Sequence, residues 1–404
     1  MDKIIIAPDA AFIIEELRKN GFEGHIVGGC VRDALMGTAP HDYDITTSAK
    51  PEEVKKIFDH TFDTGIEHGT VTVVLNKANY EVTTFRVDGS YEDCRHPKEV
   101  SFTRDLHEDL LRRDFTMNAI AYNPYDGFTD IFGGMEDIKN KIIRGVGEPA
   151  ERFREDALRM LRAVRFSAQL GFDIEPETRT ALMENAGLIK NISSERIREE
   201  LTKLLLSEYT EKISLLWETG LLGYISKRLS KSLQGHEQEI LGQFSRCKKI
   251  PAVLFAVLTQ FVSQSEIKAE LSLYKFDNKT LGQILVLNSL AKSEVLSDSL
   301  SVRVTAAKYG IENTRLFYFM KQAMGVSDAF CAESTLESEI KAGHCLAVKD
   351  MKISGRDLIA LGFEPGKRMG EVINAVFGEV LKNPQLNTYE NLEKLAKEIF
   401  INNI

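Results

Sequence analysis

Two aspartates separated by one residue, Asp42 and Asp44, are the side chains whose spacing first predicts chemistry. In an extended strand, side chains two positions apart point to the same face, so these two carboxylates project together. Tyr43 and Ile45 then face the other way, into a core. Adjacent carboxylates repel each other, and both stay ionised only when a cation lies between them. Because hard cations prefer oxygen ligands, the pair predicts a Mg²⁺ site.

A phosphate-binding turn is predicted directly upstream of this carboxylate pair. Gly28 and Gly29 follow a short apolar strand, and glycines let the backbone approach a ligand closely. A helix that carries Arg32 and Asp33 starts at the same place, and the free N–H groups of its first turn can bind phosphate. A D-x-D pair or a Gly-Gly turn alone is more often structural than catalytic. Together, as GG-x-x-R-D followed by D-x-D, they predict nucleotidyl transfer by two metal ions.

Two further groups of residues extend this site. A hairpin is predicted from TVTVVL, a turn over residues 76–79, and YEVTTFR. Its second strand makes Glu81 the candidate third carboxylate, although an exposed strand glutamate of no special role has the same spacing. Adjacent Arg112 and Arg113 suit contact with a triphosphate, because a guanidinium binds phosphate oxygens in pairs.

A second functional stretch is predicted on one helix over residues 151–166, ERFREDALRMLRAVRF. Apolar residues occupy one side of this helix and predict a core-facing surface. The other side carries an acid and three arginines at three-residue steps: Asp156, Arg159, Arg162 and Arg165. A solvated helix face normally mixes lysine and glutamate, so this stripe favours a ligand-facing role over a plain surface.

Composition limits what kind of protein this is. The chain has 404 residues, more than one hydrophobic core usually organises, so two or more domains are expected. Its 43% hydrophobic and 27% charged content is typical of globular proteins. Five scattered cysteines without a C-x-x-C pair favour a reducing cytoplasm over a zinc module or a disulfide framework. A net charge of −9 argues against a nonspecific nucleic-acid coat protein. No export signal or membrane span is expected, and nothing in the sequence indicates an oligomeric state.

The elements that position these residues predict an α+β fold. A small mixed-sheet head occupies residues 1–145 and is followed by helical periodicity almost throughout. Boundaries near 210 and 345 divide the helical part into a neck (146–209), a body (210–345) and a tail (346–404). Basic clusters such as Lys227-Arg228 are more often solvated faces than RNA contacts.

The order of motifs resembles a known family, the class II tRNA nucleotidyltransferases or CCA-adding enzymes, of the polymerase-beta-type superfamily. The motifs are GGCVRD, HDYD, YEVTTFR, LLRRDFTMNA, REDALRMLRAVRF and SERIREE, with ISGRDLIALGFEPGKRMG resembling the family's tail. The likeness is specific over the first 205 residues and looser between about 210 and 345.

The resemblance implies template-independent addition of CCA to the 3′ end of tRNA from CTP and ATP. It implies that Asp42 and Asp44 bind the Mg²⁺ ions, and whether Glu81 contacts a metal stays open. Nucleotide-binding positions of the family fall on Gly29, Arg32, Arg113, Asp156, Arg159, Arg162 and Arg165. In such enzymes a neck aspartate and arginine read the base, which here implies Asp156 and Arg159. The resemblance also implies that the body and the tail bind tRNA.

Several alternatives are weighed against full CCA addition. The polar segment DGSYEDCRHPKEVSFT argues against a CC-adding relative, whereas an A-adding enzyme acting on CC-ended tRNA keeps such a loop and stays open. A poly(A) polymerase lacks support because no glycine- and arginine-rich stretch follows the second motif. The helical half has no His-Asp pair for an appended phosphohydrolase. A catalytically silent RNA-binding relative is expected to have lost a metal carboxylate or the base-reading pair.

Overall fold

The structure is a computed structural model that describes residues 4–40, 42–89 and 100–402. It divides the chain into two compact units, Met1–Lys231 and Ser232–Ile404. The boundary lies inside the segment predicted as the body, and the division into four domains stays a prediction. His41 and residues 90–99, the centre of the predicted polar loop, lie outside the described residues.

The head at the start of the first unit combines short strands with short helices. Its strands are β1 (Gly24–Val27), β2 (Asp44–Thr47), β3 (Thr61–Gly65), β4 (Thr70–Leu75), β5 (Ala78–Thr84), β6 (Arg86–Asp88), β7 (Val100–Phe102), β8 (Ala121–Asn123) and β9 (Gly127–Thr129). Its α-helices are α1 (Pro8–Lys19), α2 (Gly29–Leu35), α3 (Pro51–Ile57), α4 (Leu106–Leu111) and α5 (Gly134–Asn140). Single 3₁₀ turns span Ile66–His68 and Thr116–Asn118.

A seven-stranded mixed sheet organises the head, with the order β3-β4-β5-β2-β1-β8-β9. The central strand β2 pairs antiparallel with β1 and parallel with β5. Ile26, Ile45 and Val82 on these strands are at most 1% exposed and pack with the apolar face of α1. Tyr43 and Ile45 contact this core, as predicted, but β2 starts at Asp44, so the prediction of a strand that also holds Asp42 is wrong.

The hairpin between β4 and β5 is tighter than predicted. Its loop is Asn76-Lys77 alone, with φ values of 48° and 68°, and Leu75 already pairs with Ala78. Two successive residues with positive φ form the turn whose twist matches the flanking strands. The predicted turn over residues 76–79 was therefore too long by two residues.

The remainder of the first unit is mainly helical. Its elements are β10 (Ile142–Ile143), α6 (Pro149–Glu155), α7 (Leu158–Leu170), β11 (Asp173–Ile174), α8 (Pro176–Asn185), α9 (Ser194–Leu205), α10 (Leu215–Glu218), α11 (Leu221–Ile225) and α12 (Lys227–Leu233), the last of which crosses the unit boundary. The 3₁₀ helices Ala186–Asn191 and Thr210–Ser214 join them. Strands β10 and β11 form a small parallel pair.

The single helix predicted over residues 151–166 is wrong, because the helix breaks at Asp156. Asp156 has extended backbone angles (φ −134°, ψ 102°), and α7 starts two residues later. Its Oδ1 accepts a hydrogen bond from the Leu158 N–H at 3.0 Å. A local side-chain bond of this kind competes with helix continuation.

The second unit is helical throughout its described residues. It contains α13 (Glu237–Arg246), α14 (Pro251–Thr259), α15 (Ile267–Ser272), α16 (Asn278–Leu290), α17 (Ser299–Tyr309), α18 (Ile311–Ala323), α19 (Asp328–Lys341), α20 (Gly355–Ala360), α21 (Lys367–Lys382) and α22 (Tyr389–Asn402). The buried Arg303 of α17 donates to Glu339 of α19 at 2.9 Å and to the Leu381 carbonyl of α21 at 2.7 Å. A sheet-containing head followed by helices confirms the predicted α+β class. None of the described helices has the length and apolarity needed to cross a bilayer.

Candidate active site

The carboxylate pair lines a cavity of about 520 Å³ that lies over strands β3, β4, β5 and β2 of the head sheet. Asp42, Asp44 and Glu81 all line it. Asp44 begins β2 and lies opposite Glu81 in the parallel register with β5. The structure thus places the three suggested carboxylates around one cavity: Asp44 and Glu81 come from adjacent strands, and Asp42 comes from the segment just before β2.

The electrostatics of this cavity suit a cation. The Asp44 side chain keeps access to solvent, yet the protein around it removes enough water to raise its pKa, and the Asp42 charge adds to this effect. Removal of water also raises the pKa of Glu81, with further contributions from Asp44 and Asp42. The available donors are carboxylate oxygens, which Mg²⁺ prefers. Among the described residues, no group of three or more His, Cys, Asp or Glu side chains is close enough together to hold a metal ion.

Gly28 provides space for a guanidinium next to the carboxylate pair. It has φ +81°, a conformation that favours glycine, and it precedes the first residue of α2, Gly29. A Cβ built at Gly28 would lie 3.3 Å from Nη1 of Arg113 and 3.8 Å from Oδ2 of Asp44. The positive charge of Arg113 also lowers the pKa of Asp44, against the effect of burial. Gly28, Arg113 and the Asp44 carboxylate therefore lie together on one side of the site.

A buried aspartate, Asp109, organises the arginine pair. Its Oδ1 accepts from Nε and Nη2 of Arg112 at 3.0 and 2.7 Å, and its Oδ2 accepts from Nη2 of Arg113 at 3.4 Å. Burial alone would raise the pKa of Asp109, but the charges of Arg112 and Arg113 lower it. The sequence analysis missed this role. The signal was present, because Asp109 lies three and four residues before the two arginines on a helix.

Arg32 is connected to Arg162 of α7 by a chain of hydrogen bonds. Its Nη1 donates to Asn118 Oδ1 at 2.9 Å, and Asn118 Nδ2 donates to Asp114 Oδ1 at 3.1 Å. Asp114 Oδ2 accepts from Nε and Nη2 of Arg162 at 2.9 and 2.6 Å. Burial opposes ionisation of Asp114, yet the Arg162 charge and these hydrogen bonds lower its pKa to about 2.

The ring of Phe166 lies among three of the predicted nucleotide-binding arginines. The guanidinium carbons of Arg32 and Arg162 are each 5.3 Å from its centroid, and that of Arg165 is 3.9 Å away. Arg165 also donates through Nε to Glu200 at 2.5 Å. The predicted stripe is therefore engaged within the protein, since Arg162 and Arg165 each pair with a buried carboxylate.

The predicted base-reading pair is held at the junction of α6 and α7. Nη2 of Arg159 donates to the Arg112 carbonyl at 2.7 Å, and its Nη1 donates to Glu155 at 2.6 Å. Asp156 Oδ2 accepts from Nη2 of Arg196 on α9 at 2.9 Å. Arg196 belongs to the SERIREE motif, but its role was missed because the contact spans 40 residues of sequence.

Three family models match successive parts of the chain. Residues 24–144 match the family model "Poly A polymerase head domain", and residues 249–396 match the model of tRNA nucleotidyltransferase domain 2. Residues 171–233 match "Probable RNA and SrmB-binding site of polymerase A". With the carboxylate pair and the glycine turn of the head, these matches define a nucleotidyltransferase.

Full-length relatives give the family. A CCA-adding enzyme of Ligilactobacillus salivarius is 37% identical over 96% of each chain, and one of Anoxybacillus flavithermus is 39% identical over 96% of each chain. The crystal structure of the Bacillus stearothermophilus CCA-adding enzyme in complex with CTP has a TM-score of 0.85 and 34% identity, covering 98% of this chain and 99% of its own. This chain belongs to the family of CCA-adding enzymes, and its predicted family membership is confirmed.

A more distant structure shows that the fold is retained at low identity. The Thermotoga maritima CCA-adding enzyme complexed with tRNA has a TM-score of 0.66 and 21% identity, over 98% of this chain and 96% of its own.

Proposed function

We propose that this enzyme adds C, C and A to the 3′ end of tRNA, using CTP and ATP and no nucleic-acid template. The observation that supports this proposal most is the close approach of the Gly-Gly turn, Arg113 and Asp44. Such an arrangement would place a triphosphate beside a metal-binding carboxylate pair. The related enzymes share this activity by name and match nearly the whole chain. Because tRNA is the substrate, we place the activity in the cytoplasm.

Asp42 and Asp44 would hold two Mg²⁺ ions, with Glu81 next to them. When bound, these ions would lower the charge of the triphosphate and make the attacking hydroxyl more nucleophilic. In the reaction, the tRNA 3′-oxygen forms a bond to the α-phosphorus of the nucleotide, the bond to the β-phosphate oxygen breaks, and pyrophosphate leaves.

The protein's own groups would position the triphosphate. The first-turn N–H groups of α2, after Gly28, would bind a phosphate of the nucleotide. The Arg113 guanidinium lies over that turn, and its Nε is buried and without a partner among the described residues. The two hydrogen bonds from Arg32 to Asp33 and its bond to Asn118 fix the Arg32 guanidinium at the same end of the site. Catalysis then depends on positioning and charge stabilisation.

Asp156 and Arg159 would read the base. A carboxylate accepts from the exocyclic amine of cytosine or adenine, and an arginine donates to the neighbouring ring acceptors. Guanine and uracil present an acceptor in place of that amine, so the carboxylate rejects them. A carboxylate has about four acceptor positions, and the Leu158 N–H with the two Arg196 donors uses three of them on Asp156. One position is left for the base amine.

Single-nucleotide sizing of tRNA products tests this function. The purified protein and Mg²⁺ are incubated with transcripts that end at the discriminator base, at C, or at CC. CTP and ATP are supplied separately and together. We expect C, C and A to be added in that order and then arrest. Extension of only the CC-ended transcript by one A would indicate an A-adding enzyme instead, and long A tails would indicate a poly(A) polymerase.

Matched variants assign the reaction to the proposed site. Asp42→Asn and Asp44→Asn keep side-chain size but remove the charges that would bind metal, so we expect addition to fall by about a thousandfold or more with tRNA binding retained. Asp63→Asn is the control, because Asp63 is half-exposed and pairs with Lys55. Full activity in the Asp44→Asn variant would contradict the proposed role of the carboxylate pair, whereas absence of addition by the wild type with tRNA binding retained would favour a silent RNA-binding protein.

A further inference from the structure

A row of side chains crosses the active-site face of the head sheet and ends at an exposed aromatic ring. Phe62 of β3 lies opposite Thr72 of β4, and Thr72 lies opposite Glu81 of β5. Glu81 in turn lies opposite Asp44 of β2. Residues directly opposite each other in neighbouring strands project from the same face of a sheet. All four line the same cavity of about 520 Å³, which therefore runs from the carboxylates to Phe62.

Phe62 presents a ring that the protein leaves largely uncovered. The residue is 64% exposed although it lines a cavity. The hydroxyl oxygens of its neighbours Thr64 and Thr72 are 2.8 Å apart and hydrogen-bond to each other. Asp63 lies between Phe62 and Thr64 in β3, so it faces the other side of the sheet, where it pairs with Lys55 at 2.9 Å. This end of the cavity thus offers a ligand a flat apolar surface without a charge.

The proposed position of the triphosphate decides which substrate reaches this ring. The glycine turn that would hold the triphosphate lies on the β1 side of Asp44, because Val27 is opposite Asp44 and directly precedes Gly28. In an in-line displacement, the attacking oxygen and the leaving pyrophosphate lie on opposite sides of the α-phosphorus. The attacking 3′-oxygen therefore has to approach from the side of β5, β4 and β3, where Phe62 lies.

We propose that the Phe62 ring stacks on the 3′-terminal base of the tRNA and so places the attacking hydroxyl at the carboxylates. Neighbouring strands are about 4.8 Å apart, so about 10 Å separate the backbones of Phe62 and Glu81, which is enough for one nucleoside. The base of the incoming nucleotide is assigned to Asp156 and Arg159, which leaves Phe62 for the other substrate. This inference rests on the proposed function, which supplies tRNA as that substrate.

An aromatic surface suits an end that changes during the reaction. The terminal base is first the discriminator base, then the first added C, and then the second. A hydrogen-bonding site would favour one of these bases, whereas stacking tolerates all of them because every base has a π-face. Phe62 would therefore hold the primer end equally well before each of the three additions.

Acceptor kinetics of Phe62→Ala test this contact. With transcripts that end at the discriminator base, at C, or at CC, we expect kcat/KM for tRNA to fall about tenfold or more at each step, since base–aromatic stacking has this strength. KM for CTP and ATP at saturating tRNA should be unchanged. Phe62→Tyr keeps the ring and should behave as the wild type. The matched control is Phe12→Ala, because Phe12 of α1 is a 48% exposed ring of the same head outside the cavity, and it should also keep wild-type kinetics.

A transcript whose 3′-terminal nucleotide lacks its base separates stacking from an effect on folding. Its 3′-hydroxyl still reacts, so the wild type should extend it with about tenfold lower kcat/KM, and Phe62→Ala should extend it as well as the wild type does. Equal use of the normal and the abasic transcript by the wild type would overturn the inference without recourse to any variant. So would unchanged kinetics of Phe62→Ala, the same loss in Phe62→Ala on both transcripts, or a loss that lies in KM for the nucleotide. Failure of the wild type to extend any transcript would instead contradict the proposed function.

Discussion

Asp114 connects the head to α7, and its substitution tests how much this ion pair with Arg162 stabilises the fold. Asp114→Asn keeps the shape of the side chain and its acceptor toward the Phe115 N–H, but removes the charge opposite Arg162. The pKa of Asp114 is lowered from an ordinary 3.8 to about 2. At about 1.4 kcal/mol per pKa unit, the ionised form contributes about 2 kcal/mol to folding.

The sign of the pH dependence follows from the lowered pKa. A carboxyl group whose pKa is depressed by folding stabilises the protein above its unfolded pKa, and that stabilisation is lost as the pH falls through the folded pKa. We therefore expect the wild type to exceed Asp114→Asn by about 2 kcal/mol at pH 7 and pH 5. The difference should shrink below about pH 4 and disappear toward pH 2.

Urea unfolding followed by tryptophan fluorescence measures this difference. Trp217 is the single tryptophan and lies in the same compact unit as Asp114. Asp173→Asn is the control, since the Asp173 side chain is 82% exposed in its ion pair with Lys212, and its midpoint should match the wild type. A difference below about 0.5 kcal/mol at pH 7, the range of an exposed ion pair, would refute the reasoning. So would a difference of the same size at pH 3 and pH 7.

Three other substitutions test separate parts of the structure. Gly134→Ala would place a Cβ 2.1 Å from the Thr116 carbonyl oxygen, so we expect a loss of about 3 kcal/mol or more in urea unfolding. Gly378→Ala has open space and should not destabilise, and equal stability of the two variants would contradict the packing argument. Glu81→Gln should raise the Mg²⁺ concentration for half-maximal rate by about tenfold, and an unchanged Mg²⁺ titration would limit Glu81 to a structural role. Arg196→Ala should raise KM for CTP and ATP by about tenfold and increase UTP incorporation, with partial recovery in Arg196→Lys; unchanged discrimination against UTP would disprove the positioning role.

The head could be predicted from sequence because its signals are local. The spacing of Asp42 and Asp44 predicted that both face one cavity, and the glycine pair marked the turn next to Asp44. The end of α1 at Lys19 is likewise set locally, because Asn20-Gly21 is a strong stop signal and Gly21 has φ +83°. These features depend on neighbours within a few residues.

The contacts of α6 and α7 could not be predicted in the same detail, because the residues that form them are distant in sequence. The residues around Asp156 have helical periodicity, and nothing local shows that its side chain bonds to Leu158 and pairs with Arg196. The stripe of arginines was visible, but its partners Asp114 and Glu200 lie 48 and 35 residues away. Three-residue spacing alone does not distinguish an arginine that faces a ligand from one that is paired within the fold.

The parallel pairing of β2 with β5 has a consequence for how this enzyme matures. Parallel neighbours require a crossover, and here the chain passes through α3, β3 and β4 before Glu81 returns beside Asp44. This is a contact of high sequence separation, and such contacts form late because the intervening chain must first lose its freedom. The three carboxylates therefore meet only once the head sheet is closed around its central strand. We expect metal affinity to appear in the last stage of folding, so that an incompletely folded chain on the ribosome would have no means of consuming nucleotide.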